Sequence, residues 1–475
     1  MFHPVVRSTQ RFPVGLQSPG EDSITTQLHP LSRPAEPADD PALSRARATR
    51  RAWAAVAVSW AATRTLVMLM VLGLLQLGTS DVTSDVKVIY QGWAQVLQTG
   101  TFPLDDVTWQ YPPLTALVML LPHWLPWTYF TGFLVMVAVA DALVLGLLLR
   151  ASRHGRSRAG AWLWALVVPL LGPTVYCRFD LVVTAVGVVG LLAAATRPRL
   201  GGVLAGMGAM LKVWPVLMVL GTPRGRRTRE TWTAMVVSAL AIGFYYAVTN
   251  VGAYSFMSFQ ENRGVEIESL GAIPFYLAHL FGWRGHAEMH YGSTEFLGTG
   301  VQLVGKLMVA LSLAAFAWLL LWRFRARRWT AATPADAALA ALLLFTVTSR
   351  VISPQYLVWL IGVAAVCLVS PHTTQRPTAW LIAAASLFTF LEFPVFFGDL
   401  AAFKPLGVSV LVVRNLLLAA AALVSCRRLW CATVRPEPEA VPDMVPAALS
   451  EGLPVALPET LPEAAATDPE TEPSC

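Results

Sequence analysis

The chain has 475 residues, of which 55% are hydrophobic and only 13% charged. Soluble domains carry about 25% charged residues; no soluble fold could hide this much apolar surface, so a polytopic membrane protein is the class that remains. The net charge of +6 resides largely in arginines grouped between apolar runs, which membrane topology explains and nucleic-acid binding does not.

Residues 1–51 are polar, Pro-rich and Arg-bearing, and the first apolar run starts too late for a signal peptide. They read as a disordered cytoplasmic arm. A first span is expected over about 53–77, and Arg45, Arg47, Arg50 and Arg51 ahead of it place the N-terminus inside. The segment 78–112, with four aspartates and one lysine, is then external. The prolines of "YPPLTALVMLLPHWLPW" predict short helices along the interface, with Trp124, Trp127 and Tyr129 as anchors.

Further spans are expected over about 127–149, about 161–177 and from about 180 to the sequence "TRPR". The next apolar stretch, "GGVLAGMGAMLKVWPVLMVLG", has basic flanks on both sides. A single crossing would put one flank outside, so the pattern predicts a hairpin of short helices broken near Lys212 and Pro215. A span at about 231–249 leads to the longest external segment, 250–300. Spans near 301–322, 335–349, 355–369, 378–396 and 408–425 follow. Residues 431–475 repeat Pro, Glu and Ala without helical periodicity and read as a disordered acidic cytoplasmic tail. The membrane domain is then 52–430, an all-α bundle of about twelve transmembrane or membrane-dipping helices with both termini cytoplasmic.

On this topology Asp85, Arg178, Asp180, Arg263, Glu268 and Arg350 all fall at outer ends of spans or in outer loops, and the hairpin brings Lys212 toward them. Ionisable groups at membrane depth are costly and face a cavity or a partner, so several at one level predict a cavity opening outward that suits a polar, anionic substrate. Each has a plainer alternative. Arg178 and Asp180 could pair with each other. Lys212 could snorkel to headgroups. Glu266 and Glu268 could sit in a solvated loop, and Asp81 could serve only the exit turn of the first span. Asp105 and Asp106 resemble a metal pair but read as turn residues. Cys177 reads as a buried small residue, and the five cysteines show neither a disulfide framework nor metal-type spacing.

The stretches "SDVKVIYQGW", "TGTFPLDDVTWQYPP", "CRFDLVV", "AGMGAMLKVWP", "NRGVEIES" and "SRVISPQYLVWL", in this order, resemble glycosyltransferase family 87. These are integral-membrane enzymes of the GT-C fold, among them actinobacterial mannosyltransferases that extend phosphatidylinositol mannosides. The resemblance, over roughly 53–425, implies a plasma-membrane enzyme. It would move a hexose, most simply mannose, from a polyprenyl-phosphate donor to a glycolipid or glycan acceptor of the cell envelope. Transfer would invert the anomeric carbon on the extracytoplasmic face. It implies Asp85 as the general base and Lys212 and Arg350 on the departing phosphate. Arg178, Asp180, Arg263, Glu268, Tyr90, Tyr111, Trp214, Gln355 and Tyr356 would shape the substrate pocket. The family often has lysine at the Arg350 position, and arginine keeps the charge. It often has histidine where this chain reads "FQEN" with Gln260, so no histidine role carries over there. No metal or other cofactor is demanded. Besides donor and acceptor, the partners expected are membrane lipids, not nucleic acid. A transporter or flippase of a lipid-linked sugar would share the apolar spans and cationic cavity without needing the base, and a non-catalytic envelope scaffold would need neither.

Overall fold

A computed structural model describes residues 41–434 except Thr79, residues 154–155 and Asn262. The expected arm and tail lie outside the described residues, apart from 41–51, which begin the first helix, and 431–434, which end the last. The long helices are α1 (Pro41–Val71), α2 (Tyr129–Ala151), α3 (Ala159–Val167, continued as a 3-10 segment to Tyr176), α4 (Asp180–Ala194) and α5 (Pro198–Leu211). They continue as α6 (Arg226–Thr249), α7 (Val301–Arg325), α8 (Thr333–Thr348), α9 (Tyr356–Val369), α10 (Arg376–Phe390, extended to Val395) and α11 (Pro405–Thr433).

The sequence pattern implied about twelve helices of membrane type, and the structure divides them into two sorts. Among the described residues, seven segments are long and apolar enough to cross a membrane: within α1, then α2, α3 with its extension, α6, α7, α10 with its extension, and α11. By contrast α4, α8 and α9 have 15, 16 and 14 residues. At ~1.5 Å per residue they fall short of the ~30 Å hydrocarbon core. Their apolar runs were expected to be spans, but they are core helices instead. In α9 every residue from Leu357 to Val369 is buried, as expected for a helix apolar all round that packs against protein. The lipid-type surface lies on α6 and α7, whose Leu240, Phe244 and Leu313 are largely exposed.

The expected hairpin is present. Its first arm, α5, packs on α6 through small residues: a Cβ at Gly202 would stand 2.1 Å from the Thr231 carbonyl oxygen, and one at Gly206 2.1 Å from Ser238 Oγ. Such contacts let two backbones approach closely. Lys212 is extended (φ −151°, ψ 143°), and a 3-10 segment, Trp214–Gly221, forms the returning arm. Near their starts α5 and α6 abut, at Gly202 and Thr231, and Arg224 donates to the carbonyls of Arg323 and Phe324 at the end of α7. The two ends of the hairpin therefore lie together, with Lys212 at its far tip.

The segment expected to be external after α1 forms a π-helical turn, Asp85–Tyr90, running into a helix at Gln91–Leu97. The proline-rich stretch gives the expected short helices, Thr115–Leu120 and Leu121–Trp124. Trp124 and Trp127 are exposed, but Tyr129 is buried and donates its hydroxyl to the Met119 carbonyl at 3.1 Å, so it is not an interfacial anchor. Residues 250–300 hold a feature the sequence reading did not foresee, an antiparallel hairpin of β1 (His286–His290) and β2 (Ser293–Leu297). Tyr291 and Gly292, both with positive φ (47° and 76°), close it, as two-residue turns matching strand twist require. The segment 263–268 joins its edge: Phe296 N–H donates to Val265 O and Ile267 N–H to Thr294 O.

Candidate active site

At one end of the bundle a cavity of about 730 Å³ lies between the Asp85 turn, the "YPP" loop, the hairpin tip at Lys212, segment 260–268, β1–β2 and the approach to α9. Its size falls in the upper part of the ~300–1,000 Å³ range of small-molecule sites. The walls combine Asp81, Asp85, Glu266 and Glu268 with Arg178, Lys212, Arg263 and Arg350, alongside Tyr111, Trp214, Gln355 and Tyr356. Two residues expected in the pocket do not line it. Tyr90 is buried behind the wall, stacked on Trp93 (5.3 Å) and against Phe133 and Phe179. Asp180 is buried beneath Lys212.

The charges are paired in a way the sequence did not show. Arg178 and Asp180 do not pair with each other, although they are near neighbours in sequence. The first turn of α4 sends them in different directions. Arg178 Nη2 meets Asp85 Oδ2 at 2.8 Å, while its Nη1 donates to the Cys177 and Val82 carbonyls. Lys212 Nζ donates to Asp180 Oδ1 at 2.6 Å, and Trp359 Nε1 donates to the same oxygen at 2.8 Å. Lys212 does not snorkel. It is enclosed by the rings of Tyr111, Phe179, Tyr356 and Trp359, each within 4.9–5.4 Å, an arrangement that holds an ammonium through ring quadrupoles. Trp359, missed in the sequence, lies three residues after Tyr356 and stacks between it (4.0 Å) and Trp214 (5.6 Å).

Arg263 Nε lies 3.6 Å from Glu295 Oε1, and its Nη2 donates to Ser293 Oγ at 2.7 Å. Arg350 differs from the other three cations. Its Nη1 donates to the Arg263 carbonyl (2.7 Å) and its Nη2 to the Gln260 carbonyl (3.3 Å); among the described residues no carboxylate pairs with it. Gln260, standing where histidine is frequent in the family the sequence resembles, ties its helix to the "YPP" loop by donating to the Gln110 carbonyl at 3.0 Å.

The acidic groups separate by environment. Asp81 Oδ1 accepts from Thr83 N–H and Oγ1 at 2.8 Å each, and the backbone donor holds its carboxyl below the ordinary range. That is a turn in which the side chain caps its own backbone. Asp106 does the same for Thr108 and also accepts from Trp93 Nε1 at 2.8 Å, so this aspartate serves its turn. Glu266 and Glu268 are buried, not solvated. Glu266 accepts from Ile352 N–H at 2.7 Å, yet burial pushes its carboxyl up to about 7. Burial, with the charges of Glu392 and Glu266, raises Glu268 well above the ordinary range. Cys177 is fully buried and its thiol is pushed up to about 12 by burial, so it is inert at neutral pH.

The sequence reading also passed over charges inside apolar runs. Arg64 and Asp141 pair at 2.7 Å, and Asp141 accepts further bonds from Trp60, Trp164 and Tyr176. Glu392 and Arg414 pair at 3.3 Å, and Arg414 reaches the backbone carbonyl of Glu268 from below the cavity. A lone carboxylate in "FTFLEFPVFF" and a lone arginine in "LVVRNLLL" are themselves the signal that could have found them.

Fold and cavity define an integral-membrane protein with a polar cavity at one end of an apolar helical bundle, where cations stand beside carboxylates. The family model for glycosyltransferase family 87 matches residues 109–354, just over half of the chain. The chain belongs to that family and is a membrane glycosyltransferase. The matched range contains Arg178, Lys212, Arg263, Glu268 and Arg350; Asp85, Tyr90, Gln355 and Tyr356 fall outside it. No curated protein and no solved structure matches the chain.

Proposed function

We propose that this glycosyltransferase moves a hexose, most simply mannose, from a polyprenyl-phosphate donor to a cell-envelope glycolipid or glycan. It would act on the extracytoplasmic face of the plasma membrane with both termini in the cytoplasm. One observation carries the reading: the Asp85–Arg178 pair and Arg350, which no described carboxylate pairs, face the same cavity. The acceptor hydroxyl attacks the anomeric carbon from the face opposite the phosphate. As the new C–O bond forms and the C–O(phosphate) bond breaks, the hydroxyl proton passes to Asp85 and the polyprenyl phosphate leaves, inverting the centre.

Arg178, 2.8 Å from the Asp85 carboxylate, fixes the direction of that side chain. Arg350 meets the charge that grows on the leaving phosphate. Lys212, already matched by Asp180, contributes positive potential from a fixed cage more than a direct contact. Cations of this kind balance a phosphate without a divalent ion.

The loops 79–112, 177–180 and 250–300 all contribute to this one cavity. A site on one side of the membrane needs that convergence; a transporter opening alternately to both sides would distribute its gates. Purified protein given polyprenyl-phosphate mannose and envelope glycolipid should yield a mannosylated product of inverted anomeric configuration, with undiminished rate in chelator. Donor translocation into the opposite leaflet of proteoliposomes without product would overturn the proposal in favour of a flippase.

A further inference from the structure

Beneath the cavity two carboxyl groups share one guanidinium. Arg414, fully buried on α11, places Nη1 3.3 Å from Glu392 Oε2 and 3.9 Å from Glu268 Oε1. Its Nη2 and Asn415 Nδ2 hold the Glu268 backbone carbonyl. Glu392 is fully buried, at the end of α10, and Glu268 is 6% exposed and lines the cavity. Among the described residues Oε1 of each is a buried oxygen without a hydrogen-bond donor, and both carboxyl groups lie against the same Arg414 Nη1. Two carboxylates against one arginine leave an uncompensated negative charge in a low-dielectric interior, which is strongly disfavoured. A single proton held by this pair of carboxyls removes the excess charge and supplies a donor where unsatisfied acceptors are buried.

We infer that Glu392 and Arg414 are positioning residues that hold Glu268 through a shared proton, so that Glu268 presents a fixed acceptor to a hydroxyl of the transferred sugar without adding negative charge beside the phosphate. The inference rests on the sugar-transfer reading of the cavity. The burial-raised range of Glu268 agrees with it. The other ionisable groups facing the pair are Glu266 from the same segment and Tyr276 from Ile273–His279, whose hydroxyl donates to Ile267 O at 3.3 Å.

The test compares Glu392→Gln, Glu392→Leu and Glu268→Gln in the full-length protein. Infrared spectra at neutral pH should show a protonated-carboxyl C=O band that loses amplitude in both glutamine variants, because the one carboxylate left pairs fully with Arg414. Glu392→Gln supplies an amide N–H in place of the proton. It should keep the low-pH KM for polyprenyl-phosphate mannose and remove that part of the KM rise at high pH that Glu266 does not cause. Glu392→Leu should raise KM about tenfold, the worth of one hydrogen bond, with kcat little changed. An unchanged band in both glutamine variants, or a Glu392→Gln pH profile identical to wild type, would overturn the inference. The band needs no substrate. A wild-type protein that shows it yet transfers no sugar refutes the transfer reading and leaves the shared proton standing.

Discussion

Replacing Asp85 by Asn separates catalysis from structure most cleanly. The amide is isosteric and can still accept from Arg178, but it cannot take a proton from an attacking hydroxyl. Loss of a positioned base removes about 10²- to 10⁴-fold in rate, which corresponds to ~2.7–5.5 kcal/mol at the barrier. The structural cost is smaller. The ion pair has side chains 11% and 30% exposed on Arg178 and Asp85, between a surface pair worth ~0–1 kcal/mol and a fully buried pair whose breakage costs ~3–5 kcal/mol. Arg178 also keeps its carbonyl acceptors at Cys177 and Val82, so roughly 1–2 kcal/mol of stability should be lost. Single-turnover transfer from labelled donor, measured with thermal unfolding of the same preparation, reads both. A folded Asp85→Asn protein with kcat within tenfold of wild type would refute the assignment of the base.

Arg350→Met removes the cation that no described carboxylate matches. It should lower kcat/KM for the donor about 10- to 100-fold, the range of a hydrogen bond to a charged group, while acceptor affinity, measured by titration, stays put. Asp81→Asn should leave transfer within a few-fold of wild type, since that carboxylate serves Thr83. Because its folded-state pKa is depressed, Asp81 contributes stability that is present above the ordinary carboxylate range and lost as pH falls through its lowered value; acid unfolding of the Asn variant should lack that contribution. Asp141→Asn leaves the buried Arg64 guanidinium without its charge partner and should destabilise the bundle by roughly 3–5 kcal/mol, read as a lowered melting temperature in detergent.

The sequence exposed some of this more readily than the rest. Apolar runs between basic flanks located the helices, and the conflict of two basic flanks around Lys212 revealed the hairpin, because charge topology is a constraint carried by composition. Run length alone could not separate a span from a core helix. Whether Tyr356–Val369 faces lipid or protein depends on what packs around it, and hydropathy is the same in both cases. Gathering ionisable groups at the outer ends of spans brought Asp85, Arg178, Lys212, Arg263, Glu268 and Arg350 to one cavity wall. The partners stayed hidden. Spacing in sequence suggested Arg178 with Asp180, whereas the first turn of α4 turns the aspartate inward to Lys212 and leaves the arginine facing Asp85. Glu295 and the β-hairpin were invisible because "HAEMHYGSTEFL" is too polar for a membrane element and too short to register against its neighbours.

Pairing also assigns work within the cavity. Arg178, Lys212 and Arg263 each stand beside one carboxylate: Asp85, Asp180 and Glu295. Neutral pairs cost less to keep in a low-dielectric site than isolated charges, and they hold their members rigid. They set geometry before substrate arrives. Arg350 is built otherwise. Two of its donors are spent on the carbonyls of Gln260 and Arg263, which fixes the guanidinium without cancelling its charge. A guanidinium has five N–H donors, so some remain for an incoming phosphate; a lysine spending two of its three would keep one. Arginine at this position thus lets one side chain brace Gln260 and Arg263 and carry a positive charge that no described carboxylate matches, a combination that asks no reorganisation of the site when the phosphate leaves.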